Sequence, residues 1–229
     1  MPHLLDFKNK HLDEDIYVYA SGKSCDFVDN TFFKNKIVIG VNQSYKKLKP
    51  KYLVRKEFKL LKTIINDSNI DDVIHFVSCG NCGNQDSKNK EFIEKHFKDK
   101  SNIVIYNHHQ NKMQITSLPE DDMLIVSHST ITTAIHLAAY MGANNIIIVG
   151  HDCGLLNGES NFTGYHTEES LSVAWKKNPQ QQYNNWLGKI ENHTITLKKL
   201  LKDKYGCNVL SLNPFINFNL EGNKFTKNN

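Results

Sequence analysis

Eight short apolar runs punctuate the chain, at residues 16–20, 37–41, 52–54, 73–77, 103–106, 124–126, 146–149 and 209–212. They are rich in β-branched and aromatic residues and nearly continuous. Strands buried on both faces carry such runs, whereas half-exposed strands alternate. Between them, apolar residues recur at helical spacing over 57–65, 90–97, 130–141 and 181–205. Trp186, Ile190, Leu197, Leu200 and Leu201 mark the last of these, and Gly206 stands where a C-cap belongs. Strands alternating with helices predict an α/β domain with a mostly parallel sheet.

The segment from Ser127 to Gly154 is the most informative. A strand runs into Ser127, His128 and Ser129, a small-residue helix follows to Met141, Gly142 ends it, and a second strand stops at Gly150-His151-Asp152. This is a β-loop-α-β unit with polar groups at both strand ends. In parallel sheets, ligands sit at those carboxyl ends. Residues 151–180 are polar, contain glycine and exceed an ordinary connection, as a lid or active-site loop does.

The 229 residues suit a single domain spanning 1–229. No run reaches the roughly 18 apolar residues of a membrane span. The start, MPHLLDFKNK, has no signal-peptide core, which implies a cytoplasmic protein. Five irregularly spaced cysteines fit free thiols. The net charge of +4 is spread over scattered lysines that read as solvated faces, and no basic-aromatic motif supports nucleic-acid binding. Homo-oligomerisation stays open.

Several positions carry candidate chemistry. Gly22-Lys23-Ser24 follows the first strand and could cradle a phosphate or ribose, or serve as a plain strand–helix turn. It is no Walker A loop, because Tyr17 occupies the place of the earlier glycine. Asn42 and Gln43 end the second strand. An amide there can read a base or a ribose hydroxyl, or cap the next helix. Cys79 and Cys82 form a lone CxxC that cannot complete a four-ligand zinc site, and no metal site is expected. His108 and His109 are adjacent, so both cannot easily face one site. Asp152, at a strand end beyond a glycine, suits a hydroxyl-binding carboxylate. His166 and His193 are the candidate general bases. No carboxylate pair suggests a glycosidase, and no GxSxG a hydrolase.

The order of these motifs resembles that of the Rossmann-like family of bacterial CMP-sialic-acid-dependent sialyltransferases of the glycosyltransferase-42 kind. It is also similar to that of 6-hydroxymethylpterin diphosphokinase-like proteins. The GxGPSL loop of those families corresponds to Ala20-Ser21-Gly22-Lys23-Ser24-Cys25, with Ala20 and Lys23 replacing the first glycine and the proline. Their strand-end Asn corresponds to Asn42, followed by Gln43. Ser129, Thr130, Gly142, Gly150 and Asp152 follow their later layout. The register sets Lys189 at the sialyltransferases' catalytic His, with His193 one turn on; Tyr165 and Tyr183 fall out of register with their loop tyrosines. The resemblance implies a three-layer α/β/α fold and a nucleotide-sugar-dependent glycosyltransferase with a CMP-linked donor and a glycan or small-molecule acceptor. Gly22, Ser24, Asn42, Gln43, Ser129 and Thr130 would bind nucleotide, Asp152 a donor hydroxyl, and Lys23 could offset phosphate charge without a required metal. The alternatives are a pyrophosphokinase using ATP and Mg²⁺, with Asp121, Asp122 and Glu159 beside Asp152, or a non-catalytic nucleotide-binding protein.

Overall fold

A computed structural model describes residues 1–55, 71–78, 86–108, 115–120, 122–165 and 179–212. Among these residues there are eight strands, β1 (Asp15–Tyr19), β2 (Ile37–Val41), β3 (Tyr52–Arg55), β4 (Ile74–Ser78), β5 (Ile103–His108), β6 (Met123–Leu124), β7 (Asn145–Val149) and β8 (Asn208–Ser211). Three α-helices lie among the described residues: α1 (Asp86–Phe97), α2 (Thr130–Tyr140) and α3 (Pro179–Tyr205). The strands form one sheet in the order β6-β5-β4-β3-β2-β1-β7-β8. Every ladder between them is parallel. The chain is a Rossmann-like α/β fold.

Continuous apolar runs produce buried strands because both faces of the sheet are covered. On β1, Ile16 and Val18 face a core shared with α2 and with Leu197 and Leu201 of α3. Tyr17 and Tyr19 face the other way, into an aromatic layer with Phe33, Phe162 and Tyr165. Farther along that second face, Ile93 and Phe97 of α1 pack on Val77 and Ile103. Each fully buried Ile, Leu or Phe contributes roughly 1.5–3 kcal/mol. Along α2 every residue is buried, including Thr132, Thr133 and His136, because the helix lies across the sheet.

One strand is shorter than its apolar run predicts. Instead of 124–126, β6 pairs only through Met123 and Leu124. Two side chains of α2 take over at Ile125. His136 Nδ1 accepts its N–H at 3.0 Å, and the Thr133 hydroxyl donates to its carbonyl at 2.7 Å. Ile125 and Val126 remain buried, but against α2. Helix α1 begins before its apolar pattern, at Asp86 and not at residue 90. The helix expected over 57–65, the Cys79–Cys82 pair and the tail beyond residue 212 lie outside the described residues.

The topology fixes where a ligand belongs. Successive strands β1 to β6 step outward in one direction, and β7 then returns to the far side of β1. The strand order thus reverses between β1 and β7, the switch point beyond which open α/β sheets bind ligands.

Candidate functional site

Beyond the carboxyl ends of β1 and β7 lies a cleft. Its wall includes Ser21, Gly22, Asn42, Ser129, Thr130 and Asp152, residues drawn from the ends of β1, β2 and β7 and from the start of α2. Five of the nine positions singled out in the sequence therefore meet here as nucleotide-site candidates or as the carboxylate: Gly22, Asn42, Ser129, Thr130 and Asp152. Gln43, Ser24 and His193 are not on the wall. His166 lies outside the described residues, as do His109 and Asp121.

The floor is made by two strand-end loops locked together. Gly22 N–H donates to the Gly150 carbonyl at 2.7 Å, one residue beyond the ladder bond from Ala20 N–H to the Val149 carbonyl at 2.8 Å. A Cβ on Gly22 would lie 2.5 Å from both Asp152 Cγ and the Gly150 oxygen, so the site admits no side chain. Gly150 has φ +69°, and a Cβ there would meet Cys25 Sγ at 2.1 Å. Glycine is required at both places for contact, and at Gly150 for backbone conformation as well.

Asp152 lines the cleft and also ties the two loops together. Its carboxylate is buried and accepts the Ser24 N–H at 2.8 Å on one oxygen and the Ser24 hydroxyl on the other. The polar groups of Ser24 are thus directed at Asp152, and Ser24 itself is only 1% exposed, away from the cleft. The pair clamps the loop instead of presenting a serine to a phosphate.

Asn42 sits in the left-handed region, with φ +52°, which Asn tolerates better than most residues. Its N–H donates to the Val54 carbonyl at 3.0 Å, and its Nδ2 reaches Thr130 Oγ1 at 3.4 Å. It therefore bridges β2 to the start of α2 and caps no helix. Its Oδ1 is buried without a hydrogen-bond donor among the described residues. Such an acceptor at a cleft wall carries a penalty unless a ligand or water supplies a donor. Gln43 instead begins the short turn Ser44–Lys46. The turn is held by Ser44 Oγ, which accepts Val41 N–H at 2.9 Å.

Ser129 precedes α2 as its N-cap residue, yet its side chain makes no capping bond. The cleft thus faces a helix N-terminus whose first N–H groups favour an anion.

The loop after Asp152 closes one side, and its first half is docked. Phe162 N–H donates to the Ser21 carbonyl at 3.0 Å. Lys23 Nζ binds Glu159 Oε2 at 2.6 Å and Asp26 Oδ2 at 3.0 Å. Asp26 also accepts from Lys47 at 2.8 Å and from Thr163 N–H and hydroxyl at 3.0 and 2.8 Å. Burial works against ionisation of Asp26, but those donors outweigh it and hold its carboxyl well below the usual range. Lys23 is therefore committed to carboxylates and does not line the cleft. No lysine or arginine does among the described residues.

Three histidines stand at this side of the cleft, His151 on the wall and His128 and His193 behind it. His193 is buried on α3, its ring stacked on that of His128 with centroids 5.3 Å apart. His151 lines the cleft and is held through Nε2 to Thr194 Oγ1 at 2.9 Å. The Thr194 proton goes to the Ile190 carbonyl at 3.0 Å, so His151 Nε2–H is the donor of that pair. Burial pushes the His151 pKa down to about 4, so the ring is neutral near pH 7. Cys153 lies beside it, Sγ to Nε2 3.5 Å, and burial pushes its thiol up. Lys189 is exposed on α3 and off the wall. Of the carboxylates weighed for magnesium, Glu159 pairs with Lys23 and Asp122 is exposed beside the start of β6. Among the described residues no group of three or more His, Cys, Asp or Glu forms a metal-binding cluster.

Sequence reasoning missed Ser21, His151, Cys153, Ser160, Asn161 and Ile190 as cleft residues. Ser21 and His151 flank motifs already singled out, so adjacency was their only signal. Ser160 and Asn161 belong to the 151–180 segment, whose composition reads as a lid or active-site loop without singling out either residue, and Ile190 comes from a helix whose placement no local pattern encodes.

No protein-family model matches the chain, and no curated protein matches it in sequence. Solved structures do match. The sialyltransferase CstII from Campylobacter jejuni in complex with cytidine-5'-monophosphate superposes with a TM-score of 0.55 at 13% identity, over 95% of this chain and 88% of that one. Its complex with CMP-3FNeuAc gives 0.53 at 13%, over 93% and 87%. A complex of the same sialyltransferase with a trisaccharide acceptor and CMP gives 0.54 at 14%, over 94% and 89%. No α-helix among the described residues is long and apolar enough to cross a membrane. At these identities the likeness establishes architecture: the chain shares the fold of that sialyltransferase along nearly its whole length.

Proposed function

We propose that this chain is a nucleotide-sugar-dependent glycosyltransferase that uses a CMP-linked donor. One observation carries the reading. In a fold shared with a CMP-bound sialyltransferase, the switch-point cleft gathers Gly22, Asn42, Ser129 and Thr130 around an acceptor atom that has no donor among the described residues.

Asn42 Oδ1 then accepts from the nucleotide, through a base amine or a ribose hydroxyl. Phosphate lies toward the first turn of α2, where backbone N–H groups and the Ser129 hydroxyl are available donors. When the sugar leaves, negative charge grows on that phosphate, and fixed neutral donors stabilise it with little reorganisation. Gly22 lets the first loop close against Gly150 and Asp152, which shapes the floor under the ligand. Asp152 supports the site through Ser24 and does not touch the donor. His193 is buried behind the wall, so we assign the general base to His166. On this reading no metal is required, and the acceptor is a glycan or a small molecule.

Titrating the protein calorimetrically with CMP, CDP, UDP, GDP and ATP, the last with and without Mg²⁺, tests the assignment. Cytidine nucleotides should bind best. Binding confined to ATP with Mg²⁺ would move the reading to pyrophosphoryl transfer, and silence from all five would remove it.

A further inference from the structure

A chain of hydroxyl and amide groups runs along one side of the cleft, and its direction can be worked out. Asn161 Nδ2 lies 3.1 Å from the Ser21 carbonyl and 3.0 Å from Ser21 Oγ. A carbonyl only accepts, so this edge of the Asn161 amide must be its NH₂. Its Oδ1 therefore faces Ser160, whose hydroxyl donates at 2.9 Å. The hydrogens run in one direction, from Ser160 to Asn161 to Ser21. The Ser21 oxygen spends a lone pair on Asn161, and its own proton has no acceptor among the described residues. Ser21, Ser160 and Asn161 all line the cleft.

We infer that Ser21 is a specificity-determining contact of this cleft, its hydroxyl set by the Ser160–Asn161 relay to donate to a phosphoryl oxygen of the ligand. One further feature favours a phosphoryl group over an uncharged oxygen: the N-terminal residues of α2, Thr130 and Ile131, are on the same wall, and a helix N-terminus favours negative charge. No cationic side chain lines the cleft among the described residues, so an anion bound there relies on neutral donors such as Ser21. The charge of the neighbouring Asp152 carboxylate is directed to Ser24, which donates to both of its oxygens. The inference rests on the proposed nucleotide reading but names a residue and a polarity that reading does not require.

The test compares CMP with cytidine, which differ by the phosphate, and adds inorganic phosphate as a third probe. Calorimetry on wild type, S21A, S21T and N161A gives the ratio of cytidine to CMP dissociation constants. In S21A the ratio should fall about tenfold, the scale of one hydrogen bond to a charged group. S21T should retain it, and N161A should lose part of it. Stabilisation of wild type by phosphate in thermal melts should vanish in S21A. A purely structural role would weaken CMP and cytidine alike and leave the ratio unmoved, which overturns the inference. If wild type binds phosphate through Ser21 but ignores CMP, the nucleotide reading fails and this one stands. If wild type responds to neither phosphate nor CMP, both fall.

Discussion

Asp152 and Ser24 stand 128 positions apart and are joined twice, the carboxylate accepting the serine's N–H at 2.8 Å and its hydroxyl. This pair of hydrogen bonds between two strand-end loops holds the cleft floor in shape. Removing the acceptor strands two buried donors. Asp152→Ala should therefore cost about 3 kcal/mol, and Asp152→Asn, which keeps an acceptor oxygen for the N–H, about 1 kcal/mol. Urea denaturation measures both. If Asp152→Ala left the midpoint unchanged, the clamp would have no structural weight.

The two glycines of the floor should behave unlike an open glycine. Gly150→Ala combines a left-handed φ with a methyl placed 2.1 Å from Cys25 Sγ. Gly158 has φ +77° but no atom within 4 Å. Strain alone should cost Gly158→Ala about 1 kcal/mol, whereas strain plus overpacking should cost Gly150→Ala about 3 kcal/mol. Equal losses in chemical denaturation would mean that the contact with Cys25 relaxes freely.

His151 should make stability depend on acid. Its folded pKa of about 4 lies below the unfolded value near 6.5. Above pH 6.5 neither state holds the proton and the group contributes no slope. As pH falls from 6.5 to 4, the unfolded chain takes up a proton that the folded chain resists, so stability declines, by up to about 3 kcal/mol. Substituting His151→Gln should flatten this part of the stability–pH curve. An unchanged slope in His151→Gln would assign the acid sensitivity to other groups.

Lys23 should be dispensable for ligand binding. Its ammonium pairs with Glu159 and Asp26, so its charge is already offset and turned away from the cleft. Lys23→Met should therefore leave nucleotide affinity within about twofold of wild type, since affinity here depends on neutral groups on the cleft wall. A tenfold or larger loss in calorimetry would return Lys23 to the role of phosphate counter-charge.

Local patterns along the chain determined the architecture. Continuous apolar runs specify strands buried on both faces, and helical spacing between them specifies crossovers, so the parallel sheet was legible without coordinates. Polar residues at strand ends marked Gly22, Asn42 and Asp152 as neighbours, because parallel strands all bring their carboxyl ends to one edge; Ser129 and Thr130 join them because α2 crosses the sheet from the distant β6. Tertiary structure alone decided what each group does there. Only the fold shows that Ser24 turns its donors to Asp152 and that Lys23 is spent on two carboxylates. Only the fold shows that His193 packs against His128, and that Ser160 and Asn161 reach back to Ser21. These partners are separated by up to 140 positions, and hydrogen-bond commitment between such distant groups leaves no trace in composition or periodicity. It is fixed only when the chain closes.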